Sequence, residues 1–423
     1  MLYCVRYASA SHPMKTRQPK PAAPAPAAPI WVERGTGTYR RISIALFLAG
    51  FVTFTLVYDV QPLLPEFATD FQVSAATSSL ALSVTTACLA IAILCAGAGS
   101  EMFGRRKLMF VSMGLASFLN IAQAVVPDWH ALLIIRALEG IVLGGVPAVA
   151  MAYLAEEIHP KGLGMTMGLY ISGTAFGGMA GRVLSGVIAE HTSWRWALGT
   201  IGVIDLLMTF AFIMLLPPSR NFQRQLGFDA RFHLQAWGRH LRDSGLPFLF
   251  LIGCLSMGAF ITIYNYAAFR LVGAPYELNQ TQLGLIFTVY LFGIVASSTA
   301  GAMVDRIGRA PVLLTGLTVM LAGIGVTLLQ PLLLVIAGIS LVTIGFFISH
   351  SVASGWVGRM AKTTKGHAAS LYLLAYYTGS SVAGWVGGWF WAAEGWLAVA
   401  AFTAVMVACG LAAALHLART HPG

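Results

Sequence analysis

Long unbroken apolar runs alternate with short polar connections, near residues 42–64, 76–97, 108–126, 131–154, 165–188, 195–216, 246–269, 282–303, 310–329, 332–356, 367–390 and 396–417. Each run has roughly the 20 residues that a helix needs to cross the hydrocarbon core of a bilayer. Strands of a membrane barrel would instead alternate apolar and polar positions over short segments, and the runs do not. Backbone groups in lipid must be paired within the segment, so helices are the remaining reading. The pattern predicts an all-α polytopic membrane protein with twelve transmembrane helices.

The runs divide into an N-terminal six-helix half over 42–216 and a C-terminal half over 246–418, joined by a polar central loop over 217–245. A short tail follows at 419–423, and a head over 1–41 contains the sequence PKPAAPAPAAPI. The head is basic, rich in Pro and Ala, and lacks a continuous apolar core, which predicts a disordered tail and not a signal peptide.

Composition sharpens this picture. Of the 423 residues 57% are apolar and only 10% charged, against about 25% charged in soluble domains, which excludes a soluble globular protein. Most of the 26 Lys and Arg residues fall in the head, the central loop and the connections after even-numbered runs. The opposite connections carry Glu66, Asp70, Asp128, Glu190, Glu277 and Glu394. This asymmetry predicts that both termini are cytoplasmic. The net charge of +10 therefore reads as a topology signal and not as nucleic-acid binding. Cys88, Cys95, Cys254 and Cys409 lie inside apolar runs and Cys4 in the head, with no metal-ligand spacing, so they read as small core residues.

The chain also repeats itself. At an offset of 204, Gly97, Glu101, Gly104 and Arg105 align with Gly301, Asp305, Gly308 and Arg309. At 202, Leu169, Tyr170, Gly177, Gly186 and Trp194 align with Leu371, Tyr372, Gly379, Gly388 and Trp396; at 206, TLVYD (55–59) aligns with ITIYN (261–265). Two homologous six-helix halves follow.

These features resemble the major facilitator superfamily over essentially the whole chain after the head. Its G-x-x-x-D-R-x-G-R loop is complete at Gly301, Asp305, Arg306, Gly308 and Arg309, and altered in the first half, where Glu101 takes the Asp place and Met102 the Arg place. Its fourth-helix arginine motif reads RALEG, with Arg136 and Gly140 in place and Glu139 where Gln is commoner. The YDVQPLLP stretch and RALEG are similar to the twelve-helix drug:proton antiporter branch and its sugar-efflux relatives. The resemblance implies a monomeric secondary transporter in a bacterial inner membrane, with a small organic solute as substrate, protons as coupling ion, no cofactor, and efflux as the direction. Uptake of a sugar or organic anion is the runner-up, and a non-transporting membrane receptor the alternative from another class.

Physics supplies roles for the paired loops. Gly97 and Gly301 let a helix end approach its neighbour, Glu101 or Asp305 can meet a helix N-terminus or an arginine, and Arg105 and Arg309 stay at the cytoplasmic face. Such contacts would latch one arrangement of the halves.

Charges inside the runs are costly, about 2.5–3.5 kcal/mol each near the bilayer centre, and default to functional candidates. Six stand out: Asp59, Arg136, Glu139, Arg182, Asp205 and His350. Arg136 and Glu139 are three apart and share a helix face. Asp59 lies at comparable depth, and since the first and fourth helices of each half line the cavity in the resembled fold, a buried Asp59–Arg136 ion pair is expected. Glu139 reads either as the proton carrier, with burial and Arg136 acting in opposite senses on its proton, or as a helix–helix hydrogen-bond group. Asp205 falls in the sixth helix, peripheral in that fold, which favours a packing role. His350 is a candidate proton handler set against a hydrogen-bonded core histidine.

The fifth run reads GTAFGGMAGRVLSG and is similar to the antiporter motif in its glycine spacing, without the usual proline and with Arg182 where glycine is usual. Its repeat position holds Gly384. A one-sided cation of this kind favours an anionic or strongly hydrogen-bonding substrate, unless Asp59 or Glu139 pairs with it. The expected cavity set is Tyr58, Gln61, Arg182, Tyr264, Asn265 and Tyr376, with Tyr266 and Tyr377 as cavity or interfacial-belt residues. No phosphate-binding G-x-x-x-x-G-K-[ST] motif is present, so ATP-driven transport is unsupported. Without a nucleophile–base pair or metal cluster, an enzyme is not expected.

Overall fold

The computed structural model describes residues 31–222 and 230–421, and side chains throughout these except at 96–103, 148 and 230. Its helices are α1 (Gly37–Tyr58), α2 (Leu64–Asp70), α3 (Ala75–Ser78), α4 (Leu80–Phe103), α5 (Arg105–Gln123), α6 (Trp129–Leu143), α7 (Pro147–Glu157), α8 (Pro160–His191) and α9 (Trp194–Leu215). They continue with α10 (Ala230–Leu241), α11 (Leu246–Val272), α12 (Gln280–Ile286), α13 (Tyr290–Ile307), α14 (Arg309–Val326), α15 (Leu332–Met360) and α16 (Lys365–Thr420). Among the described residues the only extended pairing is an isolated bridge between Val32 and Ile158. Among the described residues, eight helical stretches are long and apolar enough to cross a membrane. One of them, α16, holds two of the predicted runs, because Glu394 and Gly395 leave helical geometry between them.

Several boundaries differ from the sequence expectation. The fourth run is not one helix over 131–154: it breaks at Gly144–Val146 into α6 and α7, where Pro147 lacks an N–H and its ring would clash with the carbonyl one turn back. The head is not irregular up to residue 41. The Thr36 hydroxyl caps α1 by accepting from the Tyr39 amide at 3.1 Å, and the Val32 amide donates to the Glu157 carbonyl at 2.9 Å; residues 1–30 lie outside the described set. The central stretch carries α10, docked on α16 through His233–His367 (2.8 Å) and His240–Thr364 (2.9 Å).

One face of the molecule gathers the outer ends. There the Glu157 carboxylate accepts from the Ser219 hydroxyl at 2.8 Å, and Ser244 meets His421 at 3.0 Å. The head, the central stretch and the end of α16 therefore share one side.

The repeat is visible as geometry. A Cβ on Gly177 of α8 would run into the backbone carbonyl of Phe51 in α1, and one on Gly379 of α16 into that of Cys254 in α11. Both crossings rest on the close backbone approach that only glycine permits. Gly104 and Gly308, which join α4 to α5 and α13 to α14, have φ of +89° and +87°, a left-handed turn that side chains strain.

Candidate transport site

A cavity of about 340 Å³ lies between the halves. Its walls come from α1 (Phe54, Tyr58), α8 at positions between 168 and 182, α11 (Met257, Phe260), α13 (Tyr290, Ile294, Ser297, Ser298), α15 (Phe346, Phe347, His350) and α16 (Leu373, Tyr376, Tyr377). Because α8 starts on the face that gathers the chain ends, its lining positions run inward from Gly168 to Arg182. Away from that face the halves are in contact. The Gln280 amide donates to Glu190 at 2.8 Å, Thr86 meets Ser381 at 2.7 Å, and the Tyr266 hydroxyl donates to Ser79 at 3.3 Å.

Arg182 marks the deep end and is 1% exposed. Its Nε donates to Gln61 Oε1 and its Nη1 to the Gly178 carbonyl, each at 2.6 Å. The rings of Tyr58, Tyr290 and Phe287 surround the guanidinium at 4.1, 4.8 and 5.1 Å. Gln61 in turn donates through Nε2 to Asn265 Oδ1 at 2.7 Å, so one amide joins a residue of α8 to a residue of α11.

Of the six expected cavity residues, Tyr58, Arg182 and Tyr376 line it, together with His350. Gln61 and Asn265 sit just beyond Arg182, off the wall. Tyr264 is a correction: it stands behind the wall, its hydroxyl 2.6 Å from Thr343 and its ring stacked 5.1 Å from Phe287. Tyr266 is fully buried and donates to the Gly384 carbonyl at 2.8 Å, so neither residue belongs to an interfacial belt. His350 is half-buried, its Nδ1 3.0 Å from the Tyr372 hydroxyl and its ring stacked on Phe346.

A second polar centre lies beside the cavity. Asp59, Arg136 and Glu139 have no exposed surface. Arg136 Nη1 is 2.8 Å from Glu139 Oε2 and 3.4 Å from Asp59 Oδ1. The same guanidinium donates to the carbonyls of Leu56 (3.0 Å), Val57 (2.9 Å) and Ala81 (3.0 Å). Leu56 and Val57 are in the last turn of α1, whose carbonyls lack intrahelical partners, so Arg136 caps that helix from the side. Gln123 of α5 extends the network, donating to Glu139 Oε2 at 2.9 Å and to Asn120 Oδ1 at 3.1 Å.

Asp59 and Arg136, expected as a buried ion pair, lie 3.4 Å apart with no exposed surface, and neither they nor Glu139 line the cavity. The polar face of α6 turns toward the end of α1 and toward α5, and Tyr58 stands between. The expected alternative pairing of Arg182 with Asp59 or Glu139 does not occur among the described residues; Gln61 takes its Nε and Gly178 its Nη1.

Asp205, expected to take a packing role on a peripheral helix, faces inward. It has no exposed surface, neither carboxylate oxygen has a hydrogen-bond partner among the described residues, and it interacts electrostatically with Asp59 and Glu139. The available signal was its register with Leu198, Ile201 and Thr209, which are buried on the same stripe of α9. Asn120 and Gln123 went unremarked in the sequence, although two amides three apart in an apolar run carry the same kind of signal.

The paired loops are unlike in this conformation. Arg105 grips Glu156 through Nη2 at 2.6 Å and Nε at 3.2 Å, a partner not anticipated. In the second copy Asp305 and Arg306 are exposed, Arg309 is half-buried, and no carboxylate bridge to them occurs among the described residues. Among the described residues a Cβ on Gly301 would meet nothing within 4 Å, so the close approach expected there does not occur among them. The side chains at Gly97 and Glu101 fall outside the described residues.

The model of the Major Facilitator Superfamily matches residues 42–274 and 265–423. This chain belongs to that superfamily. Among its superfamily relatives is the Bacillus subtilis uncharacterized MFS-type transporter YybF, 45% identical over 390 residues, 92% of this chain and 96% of that one. The Escherichia coli inner membrane transport protein YnfM is 45% identical over 389 residues, 92% of this chain and 93% of its own. Among solved structures, a bacterial homolog of the human lysosomal transporter Spinster superposes with a TM-score of 0.74 at 12% identity, covering 91% of this chain and 98% of that one. The nucleoside transporter NupG gives 0.73 at 12% identity, covering 89% and 99%; these two likenesses establish the fold. The chain is thus a multi-pass major facilitator membrane transporter of small-molecule substrates, and not an enzyme.

Proposed function

We propose that this major facilitator is a proton-coupled secondary transporter that exports a small organic solute across a bacterial inner membrane, as a monomer with both termini in the cytoplasm. The concentration of Lys and Arg in the head, the central loop and the even-numbered connections supports that orientation. The cavity then opens toward the cytoplasm, where an exporter loads. The export direction rests on the resemblance of YDVQPLLP and RALEG to the antiporter branch.

The observation that carries the coupling is the buried trio of Asp59, Arg136 and Glu139. One guanidinium serves two carboxylates there, and Asp59 Oδ2 and Glu139 Oε1 have no partner among the described residues. An unmatched carboxylate in an apolar core is costly, and binding a proton relieves that cost. Asp59 directly follows Tyr58 of the cavity wall, so a change in its protonation acts on the α1 segment that touches solute. His350 is the next proton-handling candidate. Arg105, Asp305, Arg306, Arg309 and the glycines Gly104 and Gly308 act as the latch between conformations.

The test uses acid-loaded everted membrane vesicles carrying the protein, a dye that reports interior pH, and a panel of organic acids, sugars and toxic compounds. A transported solute is expected to alkalinise the interior, and Asp59→Asn and Glu139→Gln are expected to abolish the response. Solute flux without proton movement in the wild type overturns coupling, and solute binding without flux favours the receptor reading.

A further inference from the structure

We infer that the solute is a small monoanionic aromatic carboxylate whose carboxylate docks on Arg182. The inference rests on the reading of the cavity as the transport site. A guanidinium stays charged under all physiological conditions. Among the described residues, the two other arginines buried in the same half each meet a carboxylate: Arg136 contacts Asp59 and Glu139, and Arg105 contacts Glu156. Arg182 contacts none within 4 Å among the described residues: its two acceptors, Gln61 Oε1 and the Gly178 carbonyl, are both neutral. The cation is held in place but not neutralised, at the deep end of a cavity that also holds no lysine and no second arginine.

A donor remains available as well. Nη2 of Arg182 is buried and has no hydrogen-bond partner among the described residues, a state that costs free energy until an acceptor arrives. The rings flanking it belong to Tyr58 and Tyr290, both of which line the cavity, so a rotation of either opens this edge to a ligand. A carboxylate is the group that matches such a donor edge in charge and geometry. A single cation favours a single negative charge over a phosphate dianion.

The rest of the wall describes the body of the ligand. Phe54, Phe260, Phe346 and Tyr376 give flat apolar surface, and a volume of about 340 Å³ is at the small end of ligand pockets. The His350–Tyr372 pair offers a polar contact away from the arginine. Nothing in the architecture requires a cation at this position, since its repeat mate is Gly384.

The experiment measures binding to the purified full-length protein in detergent, with benzoate, 4-hydroxybenzoate and indole-3-acetate set against their neutral amides. Each carboxylate is expected to bind at least about tenfold more tightly than its amide, the order of a charge-assisted pair, and Arg182→Gln is expected to remove the difference. Equal affinity of acid and amide, no binding of any acid, or an unchanged preference in a folded Arg182→Gln protein overturns the inference. If that variant does not fold, the acid–amide comparison on the wild type still decides. Proteoliposome flux separates the two readings: acids that bind without moving leave the anion site standing and overturn transport, whereas flux of a neutral solute untouched by Arg182→Gln overturns the anion site alone.

Discussion

Arg136 holds the Leu56 carbonyl at 3.0 Å with the same nitrogen that contacts Glu139 at 2.8 Å. One atom thus caps α1 and pairs a carboxylate of its own helix. Removing it as Arg136→Ala strands two buried carboxyls and the last turn of α1 together, so a loss of about 3–5 kcal/mol is expected, as for other broken buried pairs. Arg136→Lys should rescue little, because an ammonium lacks the planar fork that spans these acceptors. Thermal unfolding of the detergent-solubilised variants checks both; a Lys variant with wild-type stability contradicts the capping role.

Asp205→Asn should behave in the opposite way. It removes a buried carboxyl whose oxygens find no partner, so stability is expected to hold or rise. Thermal unfolding beside the wild type gives the answer, and a drop comparable to that of Arg136→Ala would mean that Asp205 has an essential partner.

The two glycine crossings predict matched damage. Gly177→Ala and Gly379→Ala each drive a methyl into a neighbouring carbonyl, with an expected cost of about 1–3 kcal/mol. Gly164→Ala, where a Cβ meets nothing within 4 Å, should be neutral or stabilising, as helix propensity favours alanine. Unfolding temperatures of the three variants decide, and equal effects at all three positions would remove close packing as the cause.

The latch residues should separate stability from rate. Arg105→Ala breaks the Glu156 contact present in this conformation and should lower the unfolding temperature. Asp305→Asn, at an exposed position, should leave that temperature unchanged and slow transport. Initial flux in proteoliposomes at the wild-type rate would show that Asp305 takes no part in exchange between conformations.

The helices and their duplication were legible because bilayer thickness fixes the length of an apolar run and because glycines such as Gly104 and Gly308 serve the same turn twice. The break before Pro147 was also written in the sequence, but an apolar run on both sides of it hid the boundary. The site was only partly legible. Depth along a helix can be read from residue number, which puts Asp59 level with Arg136, 3.4 Å away, but rotation about the helix axis cannot be read where every face is apolar. That is why Tyr264 is expected on the wall it stands behind.

Gln61 carries a further implication. Its carbonyl oxygen serves Arg182 while its amide nitrogen serves Asn265 of the opposite half. Parting the halves at this level separates Gln61 from Asn265 and frees the amide to turn, and a turned amide no longer presents its oxygen to the guanidinium. The strength with which Arg182 holds an anion is thereby tied to which side of the molecule stands open, through a single side chain that need not touch the solute at all.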